Sequence, residues 1–168
     1  MIGRDARAVA NFILDEADSI GIWLSNLALQ KILYFAHGWS LVLHRRPLVR
    51  QSFEAWEHGP VIRDVYGAFK NHGSKPITKT RAVIFDVSTR SECIAKEYFE
   101  KQEEFLILDN LKYYGRINAF KLSTMTHTTG GPWDIVWSKK TEANIGMKIS
   151  DQSILDFFME LKSKGNSH

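Results

Sequence analysis

Apolar positions first recur at helical spacing between Asp5 and Asp18, where Ala8, Val9, Phe12, Ile13 and Ala17 share one face and Gly21 ends the run. The next stretch, LSNLALQKILYFAHGWSLVLH, places Ser25 where a helix cap belongs, with Leu24 and Leu29 at the two staple positions around it. From Leu27 to Leu43 most residues are apolar, and Gln30, Lys31, His37 and Gly38 make one narrow polar stripe. A helix with so little polar face is predicted to be central and buried on most sides.

Arg45-Arg46-Pro47 predicts a turn, and Ser52 to Trp56 a short strand. Gly59 is predicted to act as hinge and cap, with Pro60 at the first helical position, where a missing N–H costs nothing. Val61, Val65, Ala68 and Phe69 then face inward until Asn71-His72-Gly73 stops the helix. Alternation over Ala82 to Val87 predicts a second strand, able to pair with Ser52 to Trp56 as an antiparallel ribbon. Thr89 to Glu92 has the spacing of a capping box, predicting a long helix through Ile94, Tyr98, Phe105, Leu108 and Leu111 that ends near Gly115. Asn118 caps a short helix, with Ile117 and Leu122 as its staple, and Pro132 opens another that contains Trp133 and Trp137. Ser150 caps a final helix over 150–164, stapled by Ile149 and Ile154, with Leu155, Phe158 and Leu161 inward. The sum is a mainly α fold: a helical bundle of about six to seven helices with a small antiparallel β ribbon.

Length and composition change this picture little. At 168 residues and 44% hydrophobic content the chain is expected to be one domain over 1–168. The net charge of +3 is spread along the chain, which argues against a nucleic-acid binder, because such proteins concentrate positive charge. Cys93 is the only cysteine, so neither an intrachain disulfide nor a thiolate metal cage is available. The charged amphipathic N-terminus does not resemble a signal peptide, and no apolar run reaches the roughly 18–20 residues of a membrane span. A cytoplasmic protein is expected.

Candidate chemistry is sparse. His37, His44, His58, His72, His127 and His168 form no ligand cluster, so no metal is expected. Ser123, His127 and Asp134 contain the residue types of a nucleophilic triad, but no G-x-S-x-G elbow exposes Ser123. His127 near a helix C-terminus has a simpler role, a favourable interaction with the dipole. No phosphate-binding glycine loop occurs and no cofactor is implied. Glu54 and Glu57 straddle Trp56, an arrangement suited to surface carboxylates, and Cys93 is expected just after a helix start. Trp56, Tyr66 and the Trp133 region each adjoin a turn and together suggest a partly exposed recognition patch.

Three blocks, LALQKILYFAHGWSLVLHRRPL, FEAWEHGPVIRDVYGAFKNHG and LSTMTHTTGGPW, resemble in order and spacing the SocA-like antitoxins, or Panacea domain, over about residues 6–137. The opening ARAVANFILDEA is similar to the phage-associated GepA-like branch. Matching positions are Lys31, Tyr34, Trp39, Glu54, Trp56, Gly59, Pro60, Thr126, His127, Pro132 and Trp133. Gly130-Gly131 stands where a Glu-Gly or similar pair is common in the family, a change expected to loosen the turn.

The resemblance implies a non-enzymatic antitoxin that binds a toxin protein directly. It also implies an adaptor that delivers the toxin to a AAA+ protease, with the toxin encoded by an adjacent gene. The expected contact surface is Trp56, His58, Gly59, Pro60, Tyr66 and Trp133. The alternatives are a small hydrolase using Ser123, His127 and Asp134, or a DNA-binding autoregulatory module.

Overall fold

The computed structural model describes residues 2–141 and 147–165. Helix α1 (Ala6–Ser19) starts at Asp5, whose carboxylate accepts the Arg7 amide. Helix α2 (Asn26–His44) starts at Ser25, whose hydroxyl accepts the Ala28 amide, and ends where Arg45 turns left-handed at φ 57°. Leu29, Ile32, Leu33, Tyr34, Phe35 and Ala36 bury most of α2's surface, as its pattern predicts.

The polar stripe on α2 does not face water. Gln30, Lys31 and His37 are as buried as the leucines beside them, and each finds a partner. The Val49 amide donates to His37 Nδ1, which leaves the hydrogen on Nε2 to donate to Asp151 Oδ1 at 2.9 Å. Gly38 offers bare backbone to the Phe158 ring, which lies 2.5 Å from where a Cβ would stand.

Strand β1 (Phe53–Trp56) turns through Glu57-His58 into β2 (Gly59–Val61), and the two pair antiparallel with Trp56 opposite Gly59. This corrects the expected helix start at Gly59-Pro60. Gly59 adopts φ 106°, which suits glycine at a tight turn, and Pro60 sits in an edge strand, where its missing donor breaks no ladder bond. Helix α3 (Arg63–Phe69) begins only after Ile62.

A second correction concerns the ribbon. Strand β3 (Val83–Asp86) pairs antiparallel with β4 (Ser91–Ile94), while β1 pairs with β2 and, later in the chain, β5 (Lys148–Ile149). Residues 87–90 therefore make a hairpin turn, and Cys93 lies exposed in a strand rather than at a helix start. The Asn11 side chain holds the root of this hairpin, donating to the Ala82 and Ala95 carbonyls and accepting the Ala82 amide.

Helix α4 (Lys101–Tyr114) starts later than expected, at a capping box built from Glu100 and Glu103. Helix α5 (Ala119–Thr126) is capped by Asn118, and α6 (Pro132–Trp137) has Pro132 in its first turn. Helix α7 (Asp151–Gly165) buries Ile154 and Phe158, but Leu161 stays 38% exposed, at the edge of its expected inward face. The described residues thus form seven α-helices with small antiparallel sheets, a mainly α protein. Helices α1, α3, α4, α5 and α7 all pack against α2.

A seam of ion pairs ties the start of the chain to the loop after α2 and the start of α4. Arg4 binds Glu103 at 2.8 Å, Arg46 binds Glu100 at 2.9 Å, and Arg50 binds Asp5 at 2.7 Å.

Candidate partner-binding corner

The β1–β2 hairpin and the segment after it run over α2 and α5, and alternate backbone carbonyls along that path are taken by side chains. Trp133 Nε1 donates to the Trp56 carbonyl at 2.7 Å, and Ser123 Oγ to the His58 carbonyl at 2.6 Å. Lys31 Nζ donates to the Pro60 carbonyl at 2.8 Å, and Gln30 reaches both the amide and the carbonyl of Ile62. An edge strand pressed against helices would otherwise bury unpaired carbonyls, each costing about 1–3 kcal/mol. Four residues from α2, α5 and α6 supply the missing donors.

Lys31 is the costliest of the four. Its side chain is fully buried, and burial alone lowers its pKa to about 7. The space around it is tight. A Cβ on Gly59 would lie 2.5 Å from Thr126 Oγ1 and 2.9 Å from Lys31 Cε. Thr126 donates its hydroxyl to the Ser123 carbonyl, which keeps it inside this packing. Tyr34, one turn along α2, is also buried, with its ring edge-on to Phe53 and Phe158, and burial pushes its phenol above the ordinary range. Trp39 is half-buried and meets Phe158 edge-on at 5.2 Å.

The outer side of the hairpin is built differently. Glu54 accepts Trp56 Nε1 at 2.8 Å and is gripped by Arg63 Nε and a terminal guanidinium nitrogen. The Arg63 guanidinium lies over the Trp56 ring at 5.4 Å, and Tyr66 meets that ring edge-on at 4.8 Å. Trp56 is therefore fixed in orientation while remaining half-exposed; Glu57, His58 and Tyr66 are exposed beside it. A groove of about 400 Å³ lies against these residues, closed on its far side by Phe120.

Trp133 is only 6% exposed, so it supports the corner from within and does not present its ring. It stacks on His127 at 3.8 Å and on Trp137 at 5.4 Å. Burial, then the neighbouring Lys31 and His58, hold the His127 pKa below its ordinary value, which weakens the expected interaction of a charged ring with the helix dipole. His127 ends α5 as a stacking partner of Trp133. The Gly130-Gly131 turn is tied down, with Gly130 at φ 74° donating its amide to Asp134 Oδ2.

Ser123, His127 and Asp134 are not assembled as a triad. Ser123 Oγ is committed to His58, His127 Nε2 is buried without a hydrogen-bond partner, and Asp134 holds Gly130. Among the described residues no group of three or more His, Cys, Asp or Glu is arranged to hold a metal, and no helix is long and apolar enough to cross a membrane. His168 lies outside the described residues.

Sequence reasoning missed Gln30 and Ser123 as bracing residues. The signal for Gln30 was present in the polar stripe, since an amide beside a lysine on an otherwise apolar helix needs buried partners.

Fold and corner define a helical domain that presents a rigid aromatic hairpin, braced from beneath by a buried lysine, a glutamine, a serine and a tryptophan. The chain belongs to the family described as antitoxin SocA-like, Panacea domain, whose model matches residues 29–134. It is 43% identical over 155 residues to antitoxin SocA of Caulobacter vibrioides (strain NA1000 / CB15N), a match covering 92% of this chain and 82% of that protein. No solved structure matches the chain.

Proposed function

We propose that the protein is an antitoxin that neutralises a partner toxin protein by binding it directly, without catalysis of its own. The observation that carries this reading is the 43% identity, over nearly the whole chain, to a protein named antitoxin SocA. The corner supports it with an oriented, half-exposed aromatic pair on a braced hairpin, the type of feature that anchors protein interfaces. In this reading Trp56, His58 and Tyr66 contact the toxin, Gly59 and Pro60 shape the turn, and Trp133 holds it from behind. The toxin is encoded by an adjacent gene, and both proteins act in the cytoplasm. As an adaptor, the protein also hands the toxin to a AAA+ protease.

Co-expression tests the reading. The adjacent open reading frame alone is expected to arrest growth, and this protein to restore it. A harmless neighbour, or arrest that persists beside soluble antitoxin, overturns the pairing. The adaptor step predicts that the toxin's lifetime lengthens when the protease is deleted; an unchanged lifetime leaves sequestration alone.

A further inference from the structure

We propose that the docking surface extends from the corner across the first turns of α2 and α5 to Trp23, and that it takes an acidic protein segment carrying a large apolar residue. The inference rests on the antitoxin reading and adds the chemistry of the partner.

Two grooves flank the first turn of α2 and meet at Ser74. The one at the corner holds Trp56, Tyr66 and Phe120. The other, of about 550 Å³, is walled by Trp23 on one side and by Gly115 to Ala119 on the other. Trp23 is 77% and Phe120 69% exposed, so neither ring serves the core. Aromatics of this size on one continuous face are characteristic of interface centres.

Charge on this face is positive on balance. Lys70 lines the first groove and Arg116 the second, and neither forms an ion pair with the described residues. Glu57 is the one carboxylate among the lining residues. Ser25 and Asn118, which cap α2 and α5, both line the second groove, and neither helix has an acidic residue in its first turn. Two positive helix ends, capped only by neutral side chains, thus lie beside two cations that have no ion-pair partner among the described residues. Apolar rings set in a positive rim fit an apolar side chain flanked by aspartate or glutamate.

A random peptide library displayed on phage, selected against the full chain, reads the chemistry without knowledge of the toxin. Peptides rich in Asp and Glu around Trp, Phe or Leu, retained by the wild-type protein but not by K70E/R116E, support the proposal. Selected peptides that are basic, or that bind K70E/R116E and W23A/F120A equally well, overturn it.

Binding of the adjacent gene's product, titrated by calorimetry, is expected to weaken about tenfold or more in K70E/R116E at low salt and to lose its salt dependence. The control K101E, on α4, is expected to bind as wild type. Wild-type binding with no loss in either double variant rejects this surface and leaves the antitoxin reading standing. Failure of the wild type to bind that product rejects the pairing with that gene, and the peptide selection then decides the surface by itself. Duplex DNA binding at this face in place of acidic peptide overturns the proposal. All five substituted side chains are exposed, so thermal unfolding at the wild-type temperature verifies that each variant is folded.

Discussion

Lys31 sets its own acid–base linkage. Burial holds its pKa at about 7, against 10.5 for the free side chain. Between those values the unfolded chain binds a proton that the folded protein does not, so stability rises with pH across that window. Below about 7 both states are protonated and the slope vanishes. Chemical denaturation from pH 7 to pH 10 is expected to show a gain on the order of a few kcal/mol. In K31M that gain disappears; a wild-type slope retained in K31M refutes this linkage. The resemblance marked Lys31 as a matching position, and the apolar pattern put it on a buried helix. Its partner was not legible, because the Pro60 carbonyl is brought to it by a hairpin that local signals read as a helix start.

At the scale of elements, caps declared themselves and edges did not. Ser25, Asn118 and Ser150 each sit before an apolar run and act on amides two or three residues ahead, so sequence suffices to find them. Pro60 suits a first helical turn and an edge strand for the same reason, the lack of a donor. What chooses the strand is distant: Lys31, Ser123 and Trp133 supply donors to that backbone path. Likewise Thr89 to Glu92 satisfies the spacing of a cap and the chemistry of a turn, and Asn11, far back in α1, decides for the turn. Gly59→Ala tests the braced hairpin. It forces a Cβ into φ 106° and against Thr126 and Lys31, with an expected loss of about 2 kcal/mol or more in urea unfolding. Phe158→Ala empties the slot over Gly38 and is expected to cost about 3–5 kcal/mol by the same measurement. A loss under about 1 kcal/mol in either case contradicts the packing described.

Across the whole molecule, the ion-pair seam joins segments far apart in sequence. Burial raises the Asp5 pKa, but the bonds from Arg7 and Gln51 outweigh it and hold the carboxyl at about 2, below the ordinary 3.8. A depressed carboxylate contributes stability that is complete above the unfolded value and is lost as pH falls through the folded one. Acid titration is therefore expected to remove on the order of 2 kcal/mol between pH 3.8 and about 2. Asp5→Asn should reduce that acid sensitivity, and an unchanged acid limb would show that other carboxylates govern it.

The slot over Gly38 also has a meaning in time. Synthesis completes α2 early, yet Phe158 belongs to α7, which follows every other described element in the chain. Until then Tyr34, Phe35 and Trp39 lack the ring that closes over them, and a stalled or truncated chain displays that aromatic seat to chaperones and proteases. Docking of α7 over Gly38 thus sets how long that seat stays open while the protein folds.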